Sequence, residues 1–350
     1  MASPTKPTLF NDPIYGFIGI PNALLFGLVE HPFFQRLRRI SQMGLSHLVY
    51  PGAQHTRFHH ALGSMYLMQK ALATLRTKKV AISEAEEVAA LAAILMHDIG
   101  HGPFSHAMEH SLVENVPHEH ISLLFMEALN HTFDGDLNMA LAIFKGQYPK
   151  RFLNQLVSSQ LDMDRLDYLK RDSFYTGVSE GNINADRLIS MLNVRDGELV
   201  VEEKGIYSVE KFLMARRFMY WQVYLHKTGL VAEALLINTL RRAKELMAHG
   251  TPLPCSEPLR FFLTNRISKE NFDRDTLHVF SLLDDVDVLS AIKQWRNHAD
   301  KVLSELCGRI LDRKLLDIKV KKHPIPEERL QQRLKEVGAS KHLSPEEASY

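Results

Sequence analysis

The stretch from residue 83 to residue 103 constrains the fold more than any other part of the chain, because it contains both boundaries of a helix. Ser83 followed three residues later by Glu86 is a capping-box pattern, in which the two residues satisfy backbone amides at the start of a helix. An alanine-rich apolar segment follows and ends at Gly100-His101-Gly102-Pro103, where glycine and proline disfavour a continued helix. The pattern predicts a helix that presents His97 and Asp98 at its C-terminal end.

Apolar residues three and four positions apart recur along most of the chain and predict helices nearly throughout. The predicted helices begin near Ala23 and cover residues 57–78, 105–113, 118–130, 136–144, 150–160, 162–171 and 208–249. A short β segment or hairpin is predicted within residues 8–22, and Asp196-Gly197 between two β-branched stretches is typical of a hairpin turn. We therefore expect an all-α fold, a helical bundle with a minor β-hairpin.

A proline-rich segment at residues 251–258 is a candidate linker between two parts of the chain. We predict a catalytic domain at residues 1–250 and a C-terminal helical lobe with a polar tail at residues 251–350. The sequence stops at Tyr350 without an obvious terminating element, which leaves room for a longer native protein.

The charge balance argues against two classes of partner but does not exclude a local basic pocket. Lys and Arg number 42 and Asp and Glu number 41, so the net charge of +1 argues against general binding to nucleic acid or to an anionic membrane.

No apolar stretch approaches the roughly 18 residues that a membrane span needs. Two cysteines are too few for a disulfide framework and fit a reducing compartment. We expect a cytoplasmic protein without a membrane partner.

The His97-Asp98 pair offers metal-binding chemistry. Neutral imidazole with carboxylate suits a divalent ion such as Mn, Fe, Co, Ni or Zn, and tolerates Mg. Two ligands do not make a stable site, so partners must come from elsewhere in the chain. The candidates are the histidines of Arg57-Phe58-His59-His60 upstream and the carboxylates of the string from Asp162 to Asp172 downstream.

These segments resemble one known family. The order His…His-Asp…Asp, the string from His97 to His106, and the downstream string from Asp164 to Asp172 are similar to the HD superfamily of phosphohydrolases. The longer strings resemble its deoxynucleoside triphosphate triphosphohydrolase branch over roughly residues 10 to 250.

The resemblance implies roles for particular residues. The implied metal ligands, which would hold one divalent ion per subunit, are His60, His97, Asp98 and Asp164. The implied catalytic groups are His106 and His118, with Glu109 paired to His118. Implied phosphate contacts are Arg57, His101, Arg165 and Arg216; implied sugar contacts are Gln42, Tyr168, Asp172 and Tyr224. The family pattern has lysine at Arg165, aspartate at Glu109 and glutamine at Leu225, so the proton relay and the base preference stay open.

The reaction implied by the resemblance is attack of water on the α-phosphorus of a deoxynucleoside triphosphate, which releases deoxynucleoside and triphosphate. One alternative is hydrolysis of another phosphoester, such as a monophosphate, a cyclic or alarmone nucleotide, or a nucleic-acid end. Another is a nucleotide-sensing or nucleic-acid-binding protein with a vestigial site. The resemblance also implies a homo-oligomer (dimer or tetramer), and Gln35 and Arg38 match positions that bind a regulatory nucleotide.

Overall fold

A computed structural model describes residues 8–105, 108, 111–113, 116–318 and 323–350. Within these residues the fold is helical, and the strands form two separate antiparallel hairpins. The strands are β1 (Leu9–Asp12), β2 (Gly16–Gly19), β3 (Leu192–Arg195) and β4 (Glu198–Val201). Asp196 and Gly197 join β3 to β4 with φ angles of 53° and 81°, as a two-residue hairpin turn requires. The predicted all-α class and both hairpins are confirmed.

The helices follow one another with short connections. In the first half they are α1 (Ala23–Glu30), α2 (Pro32–Gln35), α3 (Arg57–Thr77), α4 (Glu84–Met96), α5 (His118–Thr132), α6 (Asn138–Phe144), α7 (Arg151–Val157) and α8 (Met163–Thr176). In the second half they are α9 (Ala185–Ser190), α10 (Ile206–Met219), α11 (Lys227–Ala248), α12 (Glu257–Thr264), α13 (Arg274–Ser281), α14 (Asp285–Trp295), α15 (Lys301–Leu311) and α16 (Glu327–Lys341).

Helix α3 lies at the centre and packs against both α4 and α8. The capping box predicted for α4 is present: the Glu86 amide donates to Ser83 Oγ at 3.2 Å, and the Ser83 amide donates to the Glu86 carboxylate at 2.8 Å. Because α4 begins at this cap and its residues from Ala89 to Met96 are buried, its C-terminal end is directed into the protein beside α3 and α8.

The helix predicted over residues 208–249 is interrupted, contrary to the sequence prediction. A π-helical turn at Tyr220–Tyr224 follows α10, and the Leu225 amide donates to the Tyr220 carbonyl at 2.8 Å. His226 then caps a new helix, α11, because its Nδ1 accepts from the Thr228 amide at 3.2 Å. Widened turns of this kind are frequent at functional sites, and this one places two tyrosines beside α8.

The region after residue 250 packs on the same hydrophobic core. Phe262, Phe280 and Trp295 are fully or almost fully buried, and the buried Arg36 side chain donates to the Leu283 carbonyl at 3.2 Å. The boundary near residue 250 stays a prediction. None of the helices in the described residues is both long enough and apolar enough to span a bilayer.

Candidate functional site

The predicted metal ligands come together where α3, α4 and α8 meet. His60 Nε2 lies 3.1 Å from Asp164 Oδ1 and 3.4 Å from His97 Nε2. His97 Nε2 is 3.5 Å from Asp164 Oδ1 and 3.5 Å from Asp98 Oδ1. Three of the four predicted ligands, His60, His97 and Asp164, thus form one group that could hold a metal ion, and Asp98 adjoins it through His97.

The opposite nitrogen of each imidazole is occupied, which orients the rings. His60 Nδ1 bonds Asp167 Oδ2 at 2.7 Å, and His97 Nδ1 bonds the Ile94 carbonyl at 2.6 Å. Both Nε2 atoms are therefore left to face Asp164. Metal-binding histidines typically have such partners on their second nitrogen, because the partner selects the tautomer and ring orientation.

The charges of the predicted ligands favour a positive charge at the point that they surround. Burial by itself would lower the pKa of His60, but the Asp164 and Asp167 carboxylates outweigh it and raise that pKa to about 10. Burial would likewise raise the pKa of Asp164, and the two histidines hold it well below its usual range instead. Two imidazole nitrogens with carboxylate oxygens are a ligand set that suits a divalent transition ion. The residues therefore fit the metal that the sequence implies.

Arg57 connects this centre to the loop that follows α4. Its guanidinium donates to Asp98 Oδ2 at 2.5 Å and to Ser105 Oγ at 2.6 Å, and the side chain is almost fully buried. Arg57 thus orients the Asp98 carboxylate while its charge faces the cavity described below.

A second cluster adjoins the first. His101 Nε2 lies 3.4 Å from Asp98 Oδ1, and the His101 ring stacks on His118 with centroids 3.7 Å apart. Burial and the nearby Arg57 charge lower the pKa of His101 to about 3, so its imidazole is neutral at pH 7. The other predicted catalytic residues, His106 and Glu109, lie outside the described residues.

A cavity of about 470 Å³ opens beside both clusters. Its metal end is lined by Arg57, Asp98, His101, Phe104, Ser105, His118, Asp164 and Arg165. The rest of its wall is formed by residues 42–46, Tyr168, Asp172, Tyr220, Val223, Tyr224, Gly229, Glu233 and Leu236. Predicted metal, phosphate and sugar residues therefore share one cavity.

The predicted sugar residues form a polar wall. The Tyr224 hydroxyl donates to Asp172 Oδ2 at 2.7 Å, and the other carboxylate oxygen pairs with His55 Nε2 at 2.7 Å. Tyr168 lies edge-on to Tyr224, with ring centroids 6.2 Å apart. Gln42 Oε1 is buried and has no hydrogen-bond partner among the described residues, which marks it as an acceptor for a ligand.

The two remaining predicted phosphate contacts differ in position. Arg165 lines the cavity, and its Nε donates to the Ser159 carbonyl at 2.7 Å. Arg216 is not among the described residues that line the cavity. It donates to Gln160 at 3.2 Å and lies over Tyr220, which does line the cavity. A role for Arg216 stays a prediction.

Sequence reasoning missed the part of the wall contributed by α11. Gly229, Glu233 and Leu236 are spaced by four and three, so they share one face of that helix. The spacing predicts that the three residues lie on one side of α11, but it does not reveal that this side lines the cavity. His55 was also missed, because a single histidine before α3 has no distinguishing neighbour in the sequence.

The helical fold and the histidine–carboxylate centre define an all-α protein with a candidate metal site. The HD domain profile matches residues 57–170, and the HD associated region matches residues 183–251. A crystal structure of a phosphohydrolase from Bacteroides thetaiotaomicron has a TM-score of 0.96 and 53% identity, covering 99% of this chain and 86% of that one.

Two curated relatives extend the comparison. The uncharacterized protein YwfO of Bacillus subtilis is 33% identical over 318 residues, which are 89% of this chain and 71% of that protein. A Dictyostelium discoideum protein named deoxynucleoside triphosphate triphosphohydrolase SAMHD1 homolog is 30% identical over 259 residues, 68% of this chain and 50% of that protein. The chain belongs to the HD domain phosphohydrolase family.

Proposed function

We propose that this protein hydrolyses deoxynucleoside triphosphates to deoxynucleoside and inorganic triphosphate. The observation that supports this most is that one cavity is lined by Asp164 of the His60–His97–Asp164 group, by Gln42 with its unpaired Oε1, and by the Asp172–Tyr224 pair. A cavity for a small phosphoester alone would not need a polar wall beyond the metal end.

The sugar end has groups that match a deoxyribose 3′-hydroxyl. A hydroxyl both donates and accepts. Its single proton can be accepted either by Gln42 Oε1 or by the Asp172 carboxylate, which Tyr224 and His55 already bond. The Tyr168 and Tyr224 rings give the sugar an apolar face to pack on.

The end of the cavity beside the candidate metal ligands has positive charges that can bind and orient a triphosphate. When bound, a divalent ion would polarise a phosphoryl oxygen and lower the pKa of water. Arg57 and Arg165 line the same end and neutralise phosphate charge, and fixed positive charge of this kind is a large part of phosphoryl-transfer catalysis. Neutral His101 can donate one hydrogen bond to a phosphate oxygen without a change in its own charge.

The leaving 5′-oxygen needs a proton. We assign this proton to His106 and the orientation of His118 to Glu109. A well-placed general acid contributes roughly 10²–10⁴-fold. His118 lies at the first position of α5, lines the cavity and stacks on His101.

The test is a product analysis with each of the four dNTPs and four NTPs, singly and mixed, with Mn or Mg added. Ion-pair chromatography is expected to reveal triphosphate and deoxynucleoside, with Asp98→Ala as the inactive control. Turnover of mixtures alone would indicate an activating nucleotide.

Release of pyrophosphate or monophosphate would contradict the assigned reaction and favour another phosphoester as substrate. Tight nucleotide binding without turnover under any metal would favour the nucleotide-sensing alternative.

We further propose that the chain forms a homo-oligomer through the exposed face of α10, packed against the same helix of a second copy. Exposed apolar residues on α10 and the π turn include Ile206, Tyr207, Leu213, Met214, Phe218 and Trp221, of which Tyr207 is 80% and Trp221 67% exposed. Clustered exposed apolar residues mark interaction sites.

The charges on α10 favour a second copy as the occupant. If two α10 helices pack antiparallel about the midpoint between Leu213 and Met214, Glu210 of each faces Arg217 of the other, since the two residues lie equally far from that midpoint on opposite sides. Self-complementary pairs of this kind are typical of two-fold interfaces.

Leu213→Glu is expected to convert the oligomer to a monomer, because it places a charge at the centre of the apolar face. Light scattering after size-exclusion chromatography measures the mass. The matched control is Leu330→Glu on α16, a leucine that is 45% exposed. A monomeric wild-type protein, or an unchanged mass in Leu213→Glu, would argue against this interface.

A further inference from the structure

The C-terminal region contributes one buried carboxylate to the surroundings of the cavity. Asp285, the first residue of α14, is only 6% exposed. Its Oδ1 accepts from the Phe104 amide at 3.0 Å, and its Oδ2 accepts from the Ser41 amide at 2.8 Å. One side chain therefore joins two segments that are 63 residues apart in the sequence, from 41 to 104.

Each of these amides precedes a residue of the cavity wall. Ser41 is followed by Gln42, whose unpaired side-chain oxygen lies at the proposed sugar end. Phe104 is followed by Ser105, whose hydroxyl accepts from Arg57, and Arg57 in turn bonds Asp98 at the metal end. The Asp285 carboxylate thus spans the two walls between which a substrate would lie.

The backbone at Phe104 and Ser105 needs such support. Their φ angles are 52° and 46°, and two consecutive residues other than glycine rarely adopt left-handed conformations. Conformations of this kind persist only where surrounding contacts hold them. The bond from the Phe104 amide to Asp285 is a contact of that type.

The start of α14 is itself firmly anchored. Arg36 donates to the Leu283 carbonyl at 3.2 Å, and the same guanidinium donates to the carbonyls of Ile99 and His101 at 2.8 and 3.0 Å. Asp284, next to Asp285, pairs with Arg39. Asp285 is therefore held against the loop after α4 by contacts on both sides.

We propose that Asp285 is a positioning residue for the hydrolytic reaction: its carboxylate sets the Gln42 wall at the correct separation from the Arg57–Ser105 wall. The proposal rests on the proposed function in one respect, that a nucleotide must contact both walls at once. It makes the region after residue 250 part of the catalytic unit, although none of the residues described there lines the cavity.

The test is Asp285→Asn, which keeps the shape of the side chain but presents an NH2 group to one of the two amides. We expect kcat/KM for the preferred dNTP to fall about 10²-fold, since a misplacement of about 1 Å can cost that much. Hydrolysis of bis(4-nitrophenyl) phosphate, which is too small to need the Gln42 wall, is expected to fall much less. A merely structural lesion would lower both rates by the same factor.

The matched control is Asp287→Asn on the same helix. Asp287 accepts from the Asp284 amide at 2.8 Å and so contributes to the helix cap, but among the described residues it has no hydrogen bond to Ser41 or Phe104. Its ratio of dNTP to small-phosphoester hydrolysis should equal that of the wild type. If Asp285→Asn does not fold, Asp285→Glu, which retains both oxygens, should lower the same ratio partially.

Amide hydrogen exchange separates this proposal from the proposed function. Asp285→Asn should speed exchange in peptides that contain Ser41 and Phe104, and leave α3 and α8 protected. If the wild type cleaves bis(4-nitrophenyl) phosphate but no dNTP, the proposed substrate is wrong, and faster exchange at both segments would still support the positioning role. Unchanged exchange at both segments, or equal loss on both substrates, would overturn it.

Discussion

Asp164→Ala is expected to lower kcat/KM for the hydrolysed substrate by at least about 10³-fold. Asp164 Oδ1 is within 3.5 Å of both imidazole Nε2 atoms, so its removal takes the carboxylate from the centre of the donor set. The charge stabilisation that a bound metal supplies amounts to several kcal/mol, and each ~1.4 kcal/mol corresponds to a tenfold change in rate. Steady-state kinetics and the metal content of the purified protein measure the two effects.

The control for this variant is Asp275→Ala, which removes an exposed carboxylate in the first turn of α13. Its rate and its metal content should match those of the wild type. If Asp164→Ala retained full metal content and turnover, the assignment of the metal centre would be wrong. A loss of turnover with full metal content would instead assign Asp164 to substrate handling.

Arg171→Met is expected to lower the free energy of unfolding by about 3–5 kcal/mol, the typical cost of removing one partner from a buried ion pair. The Arg171 guanidinium is fully buried and donates to Asp167 at 2.8 and 3.0 Å and to Asp12 at 2.7 Å. Methionine fills much of the same volume but takes the guanidinium away from the buried Asp12 and Asp167 carboxylates, and only Asp167 keeps its contact with His60. Denaturant-induced unfolding measures the change.

The pH dependence of the same variant has a defined sign. Burial would raise the pKa of Asp167, but Arg171 and His60 outweigh it and lower that pKa to about 2. The carboxylate therefore stabilises the wild type above its unfolded pKa of about 4, and this stabilisation is lost as the pH falls toward about 2. In Arg171→Met the pKa of Asp167 should be higher in the folded state, so less stability should be lost between about pH 4 and pH 2 than in the wild type.

Arg195→Met is the matched control for Arg171→Met, because the Arg195 side chain is 84% exposed in the hairpin turn region. Its free energy of unfolding should change by less than about 0.5 kcal/mol, as exposed substitutions usually do. An equal effect of the two variants would mean that the buried ion pairs of Arg171 with Asp167 and Asp12 do not stabilise the fold.

The position of Gly63 illustrates how local sequence and tertiary packing combine here. A Cβ atom at Gly63 would lie 2.1 Å from Asp167 Oδ1 and 2.2 Å from an Arg171 nitrogen. The ion pair that orients His60 therefore needs glycine on α3 opposite it. Nothing in the spacing of α3 alone reveals this requirement, because the conflict is with a side chain on α8.

The candidate metal ligands could be named from the sequence because the short strings around them resemble the HD superfamily. His97 and Asp98 follow a capped helix, His60 lies in a basic and histidine-rich segment, and Asp164 begins a helix rich in carboxylates. Helix boundaries depend on residues within one or two turns, so capping residues, glycine and proline reveal most of them. The continuous helix predicted over residues 208–249 was wrong because the π turn depends on contacts with α8.

The sequence by itself therefore determined the helical class and the hairpins, since these follow from interactions between near neighbours in the chain, and its resemblance to the HD superfamily implied the candidate metal ligands. Tertiary structure alone decided which surfaces close the cavity. Glu233 on α11 and Asp285 on α14 become part of the site or its support only because distant helices pack around α3. Such placements depend on side-chain packing between segments far apart in sequence, which no local pattern encodes.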